Sequence, residues 1–321
     1  MTKSRFRGLI QLTFLLALSA LLVRCGAPDS GGSDAPAAGG DSAASGEPVY
    51  GDTLVENESA EPAHLNILLA TADAYSNYIC SHIQETLLWM NMDTLEFEPH
   101  IAERWEISDD HLHYTFHLRK DVKFSDGVPL TTKDVKATYD LIMNPANDTA
   151  DLRNYLQDIE HIEVIDDHTI RFDMKKPYFR HLLTLGAFNV FPAHIYATGD
   201  LNRHPNNRDP IGSGPYVFDS WTTGDRIVLT RNENYWGERP YLDKRVFRII
   251  QDDNAAFQAL ERHDIDKHDV PPEQWARRTN NPRFEKEFQK LVLDSPIPGY
   301  LSRFNYIGWN MRKPQFQDKR V

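Results

Sequence analysis

Residues 102–135 constrain the fold more narrowly than any other stretch of this chain, because they predict a β-hairpin followed at once by a capped helix. The second hairpin strand alternates apolar with polar residues, as a strand with one buried face does, and its apolar positions are Tyr114, Phe116 and Leu118. Thr131 and Asp134 have the spacing of a capping box, which marks the start of a helix. We therefore expect a small α+β unit over about residues 95–200.

Strand and helix patterns alternate along the rest of the folded region, which is typical of an α/β chain. The predicted elements span residues 65–69, 78–90, 162–165, 170–174, 216–221, 227–230, 246–250 and 255–260. The loop 70–74 follows the first of these strands and precedes a helix. In open α/β sheets, a loop at the carboxyl end of a strand is a common place for ligands, so we expect ligand contacts there.

The N-terminus has the pattern of a signal peptide. Three basic residues precede an apolar run over residues 9–23, and they are Lys3, Arg5 and Arg7. At about 15 residues, this run is shorter than the ~20 residues that a membrane-spanning helix needs. We therefore predict an exported protein without a permanent transmembrane anchor.

The apolar run ends in residues 22–26 (LVRCG), which resemble the lipobox of bacterial lipoproteins and imply acylation of Cys25. Arg24 departs from that pattern, because the position before the cysteine is normally small. Residues 26–48 are nearly all Gly, Ala, Ser, Pro and Asp, a composition that cannot bury apolar surface. We assign residues 1–25 to the signal peptide and lipobox, and residues 26–48 to a flexible linker that is either a tether or an ordinary disordered N-terminus.

Charge and cysteine content narrow the class of partner. The formal net charge is −12 and no block of basic residues is present, so nucleic acid is not an expected partner. The chain has 2 cysteines. If Cys25 is acylated, Cys80 has no partner, and we expect it to be a buried small hydrophobe.

Three strings occur together in one order: residues 102–135 (AERWEISDDHLHYTFHLRKDVKFSDGVPLTTKDV), 211–218 (IGSGPYVF) and 231–236 (RNENYW). In this combination the chain resembles the extracellular solute-binding proteins of family 5, which serve peptide- and nickel-type ABC importers. The resemblance implies an α/β fold like that of type II periplasmic binding proteins, with two lobes and a small α+β insert. It implies lobe 1 at 49–270 with the insert at about 95–200, and the beginning of a second, mostly missing lobe at 271–321.

The resemblance also implies a function. The chain would be the substrate-binding component of an ABC importer, capturing a peptide or similar small solute outside the cytoplasmic membrane. Its partners would be this ligand, the permease subunits and, through a lipid anchor, the membrane. By alignment to the family's cleft, the ligand-binding residues would be Thr71, Asp73, Asp269, Tyr306, Trp309 and Asn310.

Two other functions stay open. A ligand-sensing receptor of the same fold would contact a sensor and not a permease, and an exported enzyme would have its catalytic residues in a missing part. Against the enzyme, Gly212-Ser213-Gly214 is not the Gly-x-Ser-x-Gly elbow, and Pro215 would block the helix that follows such an elbow. Neither a phosphate-binding glycine loop nor an HExxH helix occurs in the sequence, so we expect no catalytic residues and no cofactor.

A run of histidines suggests a metal site. His111, His113 and His117 alternate along one predicted strand. On a strand, however, His111 and His117 would lie about 20 Å apart, which is too far to share one ion. We therefore predict a solvated strand face and no metal site.

Overall fold

The computed structural model describes residues 49–70 and 73–290. The strands are β1 Thr53–Glu58, β2 Leu88–Met90, β3 Phe97–Pro99, β4 Ala102–Ile107, β5 His113–Leu118, β6 Ile159–Asp166, β7 Thr169–Met174, β8 Tyr216–Thr222, β9 Arg226–Arg231 and β10 Lys244–Ile249. The helices are α1 Ala74–Cys80, α2 Thr132–Met143, α3 Ala150–Leu156, α4 His181–Gly186, α5 Ala193–Tyr196, α6 Asp253–Glu261, α7 Pro272–Thr279 and α8 Pro282–Glu287. Short 3-10 turns lie at Leu201–Arg203 and Pro205–Asn207.

The first sheet has the strand order β1-β10-β9-β8. β1 and β10 run parallel, whereas β10, β9 and β8 are antiparallel neighbours. After α6 the chain returns to the free edge of β1, where the amide of Asn57 donates to the carbonyl of Lys267 over 3.1 Å. Two segments therefore flank β1, and both run parallel to it.

The second sheet is antiparallel, in the order β4-β5-β7-β6, and contains the two predicted strand pairs. The inward face is aromatic: Phe116 and Phe172 are fully buried and meet edge to face, with 5.8 Å between ring centroids. Burying a side chain of this size stabilises the fold by about 2–3 kcal/mol. The alternation in the sequence thus predicted this sheet correctly.

Helix α2 begins at the predicted capping box. The backbone N–H of Thr131 donates to the Asp134 carboxylate over 2.8 Å, and the N–H of Asp134 donates to the carbonyl of Thr131 over 3.0 Å. The same carboxylate accepts the backbone N–H of Ala193, which fixes the start of α5 against α2. Asn144, which precedes Pro145, ends the helix, as a residue before proline commonly does.

Two of the three sequence strings, 211–218 and 231–236, converge on one buried carboxylate, that of Glu85. Ser213 Oγ and the Tyr235 hydroxyl each donate to it over 2.7 Å, and Trp236 Nε1 donates over 3.0 Å. Buried charge is tolerated when hydrogen bonds satisfy it. The strings at 211–218 and 231–236 therefore hold the segment around Glu85 in place.

Gly212 and Gly214 are required by a close approach of two backbones. A Cβ at Gly212 would lie 2.0 Å from the carbonyl oxygen of Ile83, and one at Gly214 would lie 2.7 Å from that of His82. The N–H of Gly214 donates to the Ile83 carbonyl over 2.8 Å. Any side chain at either position would therefore collide with the neighbouring segment.

Two predicted elements are wrong. Residues 65–69 form turns and not a strand, because the Asn66 side chain accepts the N–H of Leu68 over 3.0 Å and so competes with extended backbone. The predicted helix 78–90 is only α1 and a following turn, and β2 takes up its last residues. The chain leaves the helix after Cys80, so that the carbonyls of Ile83 and His82 accept the N–H groups of Gly214 and Tyr216.

Helix α7 begins at Pro272, where a missing N–H breaks no helical hydrogen bond. The domain boundaries at 1–25, 26–48, 49–270 and 271–321 stay predictions. In the part of the chain that the structure describes, no helix combines the length and apolar character needed to span a membrane.

Candidate functional site

A cavity of about 280 Å³ lies between the turn at Ile67 and the helices of the predicted insert. Apolar side chains form most of its wall: Ile67, Leu68, Ile142, Leu152, Leu156, Leu183, Ala187 and Phe188. Its polar lining residues are Asn77, Tyr155, Arg180, Thr184 and Asn189. Apolar walls with a few polar groups are typical of small-ligand sites, which makes this cavity the candidate site.

One wall depends on the turn at Asn66, which is completely buried. Asn66 Nδ2 donates to Asn207 Oδ1 over 2.8 Å, and Asn207 Nδ2 donates to the carbonyl of Leu201 over 2.7 Å. These bonds connect segments 141 residues apart in sequence and fix Ile67 and Leu68 at the cavity. The turn that replaces the predicted strand therefore shapes the site.

The opposite wall comes from the ends of α2 and α3. Thr149 Oγ1 donates to the carbonyl of Ile142 over 2.8 Å, and Asn147 Nδ2 donates to that of Leu141 over 2.8 Å. The guanidinium of Arg153 donates to the carbonyls of Asn144 and Asn147. These bonds lock the turn between the helices, so that Leu152, Tyr155 and Leu156 line the cavity.

The loop in which ligand contacts were predicted joins two lining segments. Ile67 and Leu68 precede it and Asn77 follows it, and Asn77 Nδ2 donates to the carbonyls of Ala70 and Asp73. Asn77 therefore both lines the cavity and binds the described ends of the loop.

Asp73 caps helix α1. Its carboxylate accepts the N–H groups of Tyr75, Ser76 and Ala63, each over 3.1 Å, and the Ser76 hydroxyl. Burial opposes ionisation of this carboxyl, but the hydrogen bonds outweigh burial and lower its pKa. Asp73 thus has a structural role as the N-cap of α1, and its role in ligand binding stays a prediction.

Asp269 lies elsewhere, beside a group that we call the charged cluster: Glu56, Glu58, Tyr78, Arg245 and Lys267. Burial raises the pKa of Glu58 to about 7, and the negative charges of Glu56 and Asp269 add to the rise while Lys267 opposes it. Asp269 itself is exposed and does not line the cavity. The structure therefore does not bring the two described predicted residues, Asp73 and Asp269, together in one cavity wall.

Within the charged cluster, Glu56 is the centre. Its carboxylate accepts from Lys267 Nζ over 2.8 Å, from the Tyr78 hydroxyl over 2.8 Å and from the guanidinium of Arg245. Burial disfavours the charged form of Glu56, but the bond from Lys267 and the charge of Arg245 prevail and lower its pKa. Glu56, Arg245 and Lys267 are therefore paired with one another, and these bonds tie β1 to β10 and to the segment after α6.

Five other predicted residues fall outside the residues that the structure describes, and their roles stay predictions: Cys25, Thr71, Tyr306, Trp309 and Asn310.

Most of the cavity lining comes from the region 95–200, in which no ligand contact was predicted. This region supplies 10 of the 13 lining residues, among them Tyr155, Arg180 and Ala187. The exposed aromatic pair before Arg180, Tyr178 and Phe179, is the only local hint that this segment borders a site, and it does not identify which side chains turn inward.

Contrary to the prediction, the three histidines do not share one strand face. His111 lies in the hairpin turn with a φ of 57°, so it does not share a strand face with the others. His113 Nδ1 lies 2.6 Å from Asp173, and His117 Nε2 lies 3.3 Å from Glu106. Among residues 49–70 and 73–290, no group of three or more His, Cys, Asp or Glu is arranged to hold a metal ion.

Comparison with known sequences gives consistent matches. The family model described as "Bacterial extracellular solute-binding proteins, family 5 Middle" matches residues 96–321. The oligopeptide-binding protein AppA of Bacillus subtilis is 30% identical over 328 residues, covering 99% of this chain and 56% of the relative. The probable D,D-dipeptide-binding periplasmic protein DdpA of Escherichia coli is 31% identical over 230 residues, covering 69% of this chain and 44% of the relative.

Solved structures give the same likeness. AppA from Bacillus subtilis in complex with a nonapeptide superposes with a TM-score of 0.67 at 29% identity, over 73% of this chain and 47% of that one. NikZ from Campylobacter jejuni in complex with Ni(L-His) superposes with a TM-score of 0.65 at 26% identity, over 72% and 46%. The chain spans about half the length of the curated relatives it matches.

Proposed function

The chain belongs to the bacterial extracellular solute-binding proteins of family 5, and on this premise we propose that it is the substrate-binding component of an ABC importer. Its fold is the α/β fold of type II periplasmic binding proteins, as predicted. The proposed ligand is a peptide or similar small solute, captured outside the cytoplasmic membrane. Relatives named for oligopeptides and for Ni(L-His) support small solutes as the ligand class.

The cavity is the observation that carries this proposal. Its volume of about 280 Å³ is near the lower end of ligand pockets, which measure about 300–1,000 Å³, and its wall is mainly apolar with a few polar groups. Ile67, Leu68 and Asn77, which flank the loop 70–74 in sequence, line it. A solute held here could also meet residues of a second lobe, and contacts made only in a closed form would shift an open–closed equilibrium.

Several finer assignments belong to the proposal. Ligand contacts are assigned to Thr71, Asp73, Asp269, Tyr306, Trp309 and Asn310. Acylation at Cys25 after a signal peptide, with residues 26–48 as a tether, would hold the protein at the membrane near its permease. The names of the relatives describe binding proteins, which supports capture and not catalysis at the level of the family.

The proposal is tested by filling the cavity. Ala187 is exposed and lines the cavity, so Ala187→Trp should occupy the space without disturbing the core. The protein is dialysed against a mixture of random-sequence pentapeptides, and retained peptides are quantified by mass spectrometry. We expect wild type to retain peptides and Ala187→Trp to retain at least about tenfold less, since a ligand loses its apolar contacts.

The matched control is Ala255→Trp, an exposed alanine of α6 that does not line the cavity. It should retain as much peptide as wild type, and circular dichroism should show equal folding of all three proteins. Equal retention by wild type and Ala187→Trp would refute the cavity as the site. Retention by none of them, from the peptides or from small organic acids, would refute solute capture.

A further inference from the structure

We infer that the solute held in this cavity carries a carboxylate that pairs with Arg180, so that the site selects apolar-bodied anions over their uncharged counterparts. This inference rests on the proposed function. It narrows the proposed solutes to carboxylates, and it does so through Arg180, for which no ligand role was predicted.

The charge of the lining carries the inference. Of the 13 lining residues, 8 are apolar and Asn77, Tyr155, Thr184 and Asn189 are polar but uncharged. Arg180 is the single lining residue with a formal charge among those that the structure describes. A solute that fills the cavity therefore meets one positive group against an apolar background.

The guanidinium of Arg180 is available to a ligand. The ion pairs that the structure shows in residues 49–70 and 73–290 do not include Arg180, although arginines such as Arg171, Arg231 and Arg245 all have carboxylate partners there. No Asp or Glu is among the cavity-lining residues that the structure describes, so no lining side chain neutralises Arg180.

The backbone position of Arg180 is fixed by helix α4. Arg180 directly precedes α4, and its carbonyl accepts the N–H of Thr184 over 2.9 Å. Arg180 is exposed and lines the cavity, as does Tyr155, which is 57% exposed, so both residues lie where the cavity meets solvent. An anionic group at the mouth and an apolar body inside would satisfy both parts of the site.

Physical chemistry favours a carboxylate at this position. Guanidinium groups bind carboxylates through two parallel hydrogen bonds, and such charge-assisted bonds are stronger than neutral ones. The carbonyl oxygen of an amide can accept a hydrogen bond from Arg180, but it supplies neither the negative charge nor the second parallel acceptor of a carboxylate, so an amide should bind more weakly. The site therefore discriminates by both attraction and desolvation.

The test compares two pools of random-sequence pentapeptides built from uncharged residues, one with a free C-terminal carboxylate and the other amidated. A parallel pair of pools contains aliphatic and aromatic carboxylic acids and their amides. Wild type should retain the carboxylates about tenfold more strongly than the amides, the size of a well-placed charged hydrogen bond. Arg180→Gln should lose this preference, and Arg180→Lys should keep part of it.

The control is Arg226→Gln, an exposed arginine in the β8–β9 turn region that does not line the cavity; it should keep the wild-type preference. If carboxylates and amides are retained equally and Arg180→Gln changes nothing, the inference fails and the proposed function stands. If none of the pools is retained by wild type, both fail.

Discussion

The charged cluster and the cavity differ in whether their charged side chains have partners of opposite charge. In the charged cluster, Glu56 is buried and accepts from Arg245, Lys267 and Tyr78, so its charge is matched within the fold. In the cavity, Arg180 stands among apolar residues and has no carboxylate partner within the described chain. The difference separates charge that holds the fold together from charge that is free to recognise a ligand.

The strongest way to test this contrast is to remove one arginine from each region. Arg245→Met would leave the buried Glu56 with Lys267 as its only cation, and we expect a loss of about 3 kcal/mol in the free energy of unfolding. Arg180→Met should change it by less than about 0.5 kcal/mol, because Arg180 is exposed. Urea unfolding followed by circular dichroism measures both, and equal losses would contradict the contrast.

A second test uses pH and the carboxyl of Glu58. Its pKa is raised from 4.5 to about 7, so between these values the folded protein holds a proton that the unfolded chain has released. Stability should therefore fall as pH rises from 4.5 to 7, by roughly 2 kcal/mol when solvent access to the strand end is considered.

Glu58→Gln should abolish this fall, because glutamine does not titrate. Denaturant midpoints measured at intervals from pH 5 to 8 decide the question. A wild-type decline that persists unchanged in Glu58→Gln would assign it to another group.

A third test separates the two roles of Asp73. Asp73→Ala removes the cap of α1 and should cost about 1 kcal/mol, whereas Asp73→Asn keeps the acceptor for the N–H groups of Tyr75 and Ser76 and should cost less, although its amide nitrogen cannot accept the N–H of Ala63. If Asp73 also contacts the solute through its charge, Asp73→Asn should lose more affinity than its loss of stability explains. Unfolding and peptide retention, measured on the same two variants, distinguish these cases; equal affinity of wild type and Asp73→Asn would leave capping as its role.

The smallest effect is expected at Tyr155, whose ring is largely exposed at the cavity mouth. Tyr155→Phe keeps the ring and removes the hydroxyl, so the free energy of unfolding should change by less than about 0.5 kcal/mol. Retention of carboxylates should also change by less than about threefold, because Arg180 supplies the charge. A larger loss would show that the hydroxyl, too, binds the anion.

Elements set by local patterns were predictable from the sequence. The hairpins of the second sheet and the capping box of α2 depend on residues that are neighbours in the chain, and both are confirmed. The strand predicted at 65–69 failed because an apolar run there is turned by Asn66, whose partner Asn207 is 141 residues away. No window of neighbouring residues contains that information.

The cavity could not be predicted either, because its lining residues are brought together by contacts between segments distant in sequence. Ligand contacts at the loop 70–74 were predicted because the loop was expected to follow a strand. That strand is absent, but Asn77, which lines the cavity, donates to the carbonyls of Ala70 and Asp73 at the described ends of the loop. Arg180, in contrast, lines the cavity together with residues of α3 and of the turn at Ile67, which are distant from it in sequence. Its position follows from tertiary contacts, and a single charged residue in a loop carries no signal of its own.

The hydrogen bonds to Glu85 imply an order of events when the chain first folds. The donors Ser213, Tyr235 and Trp236 follow Glu85 by 128 to 151 residues, so the carboxylate cannot be buried with its partners until the chain is complete to residue 236. Contacts this distant require closure of a long loop, which slows folding. We therefore expect the segment around Glu85 to reach its final packing late in folding.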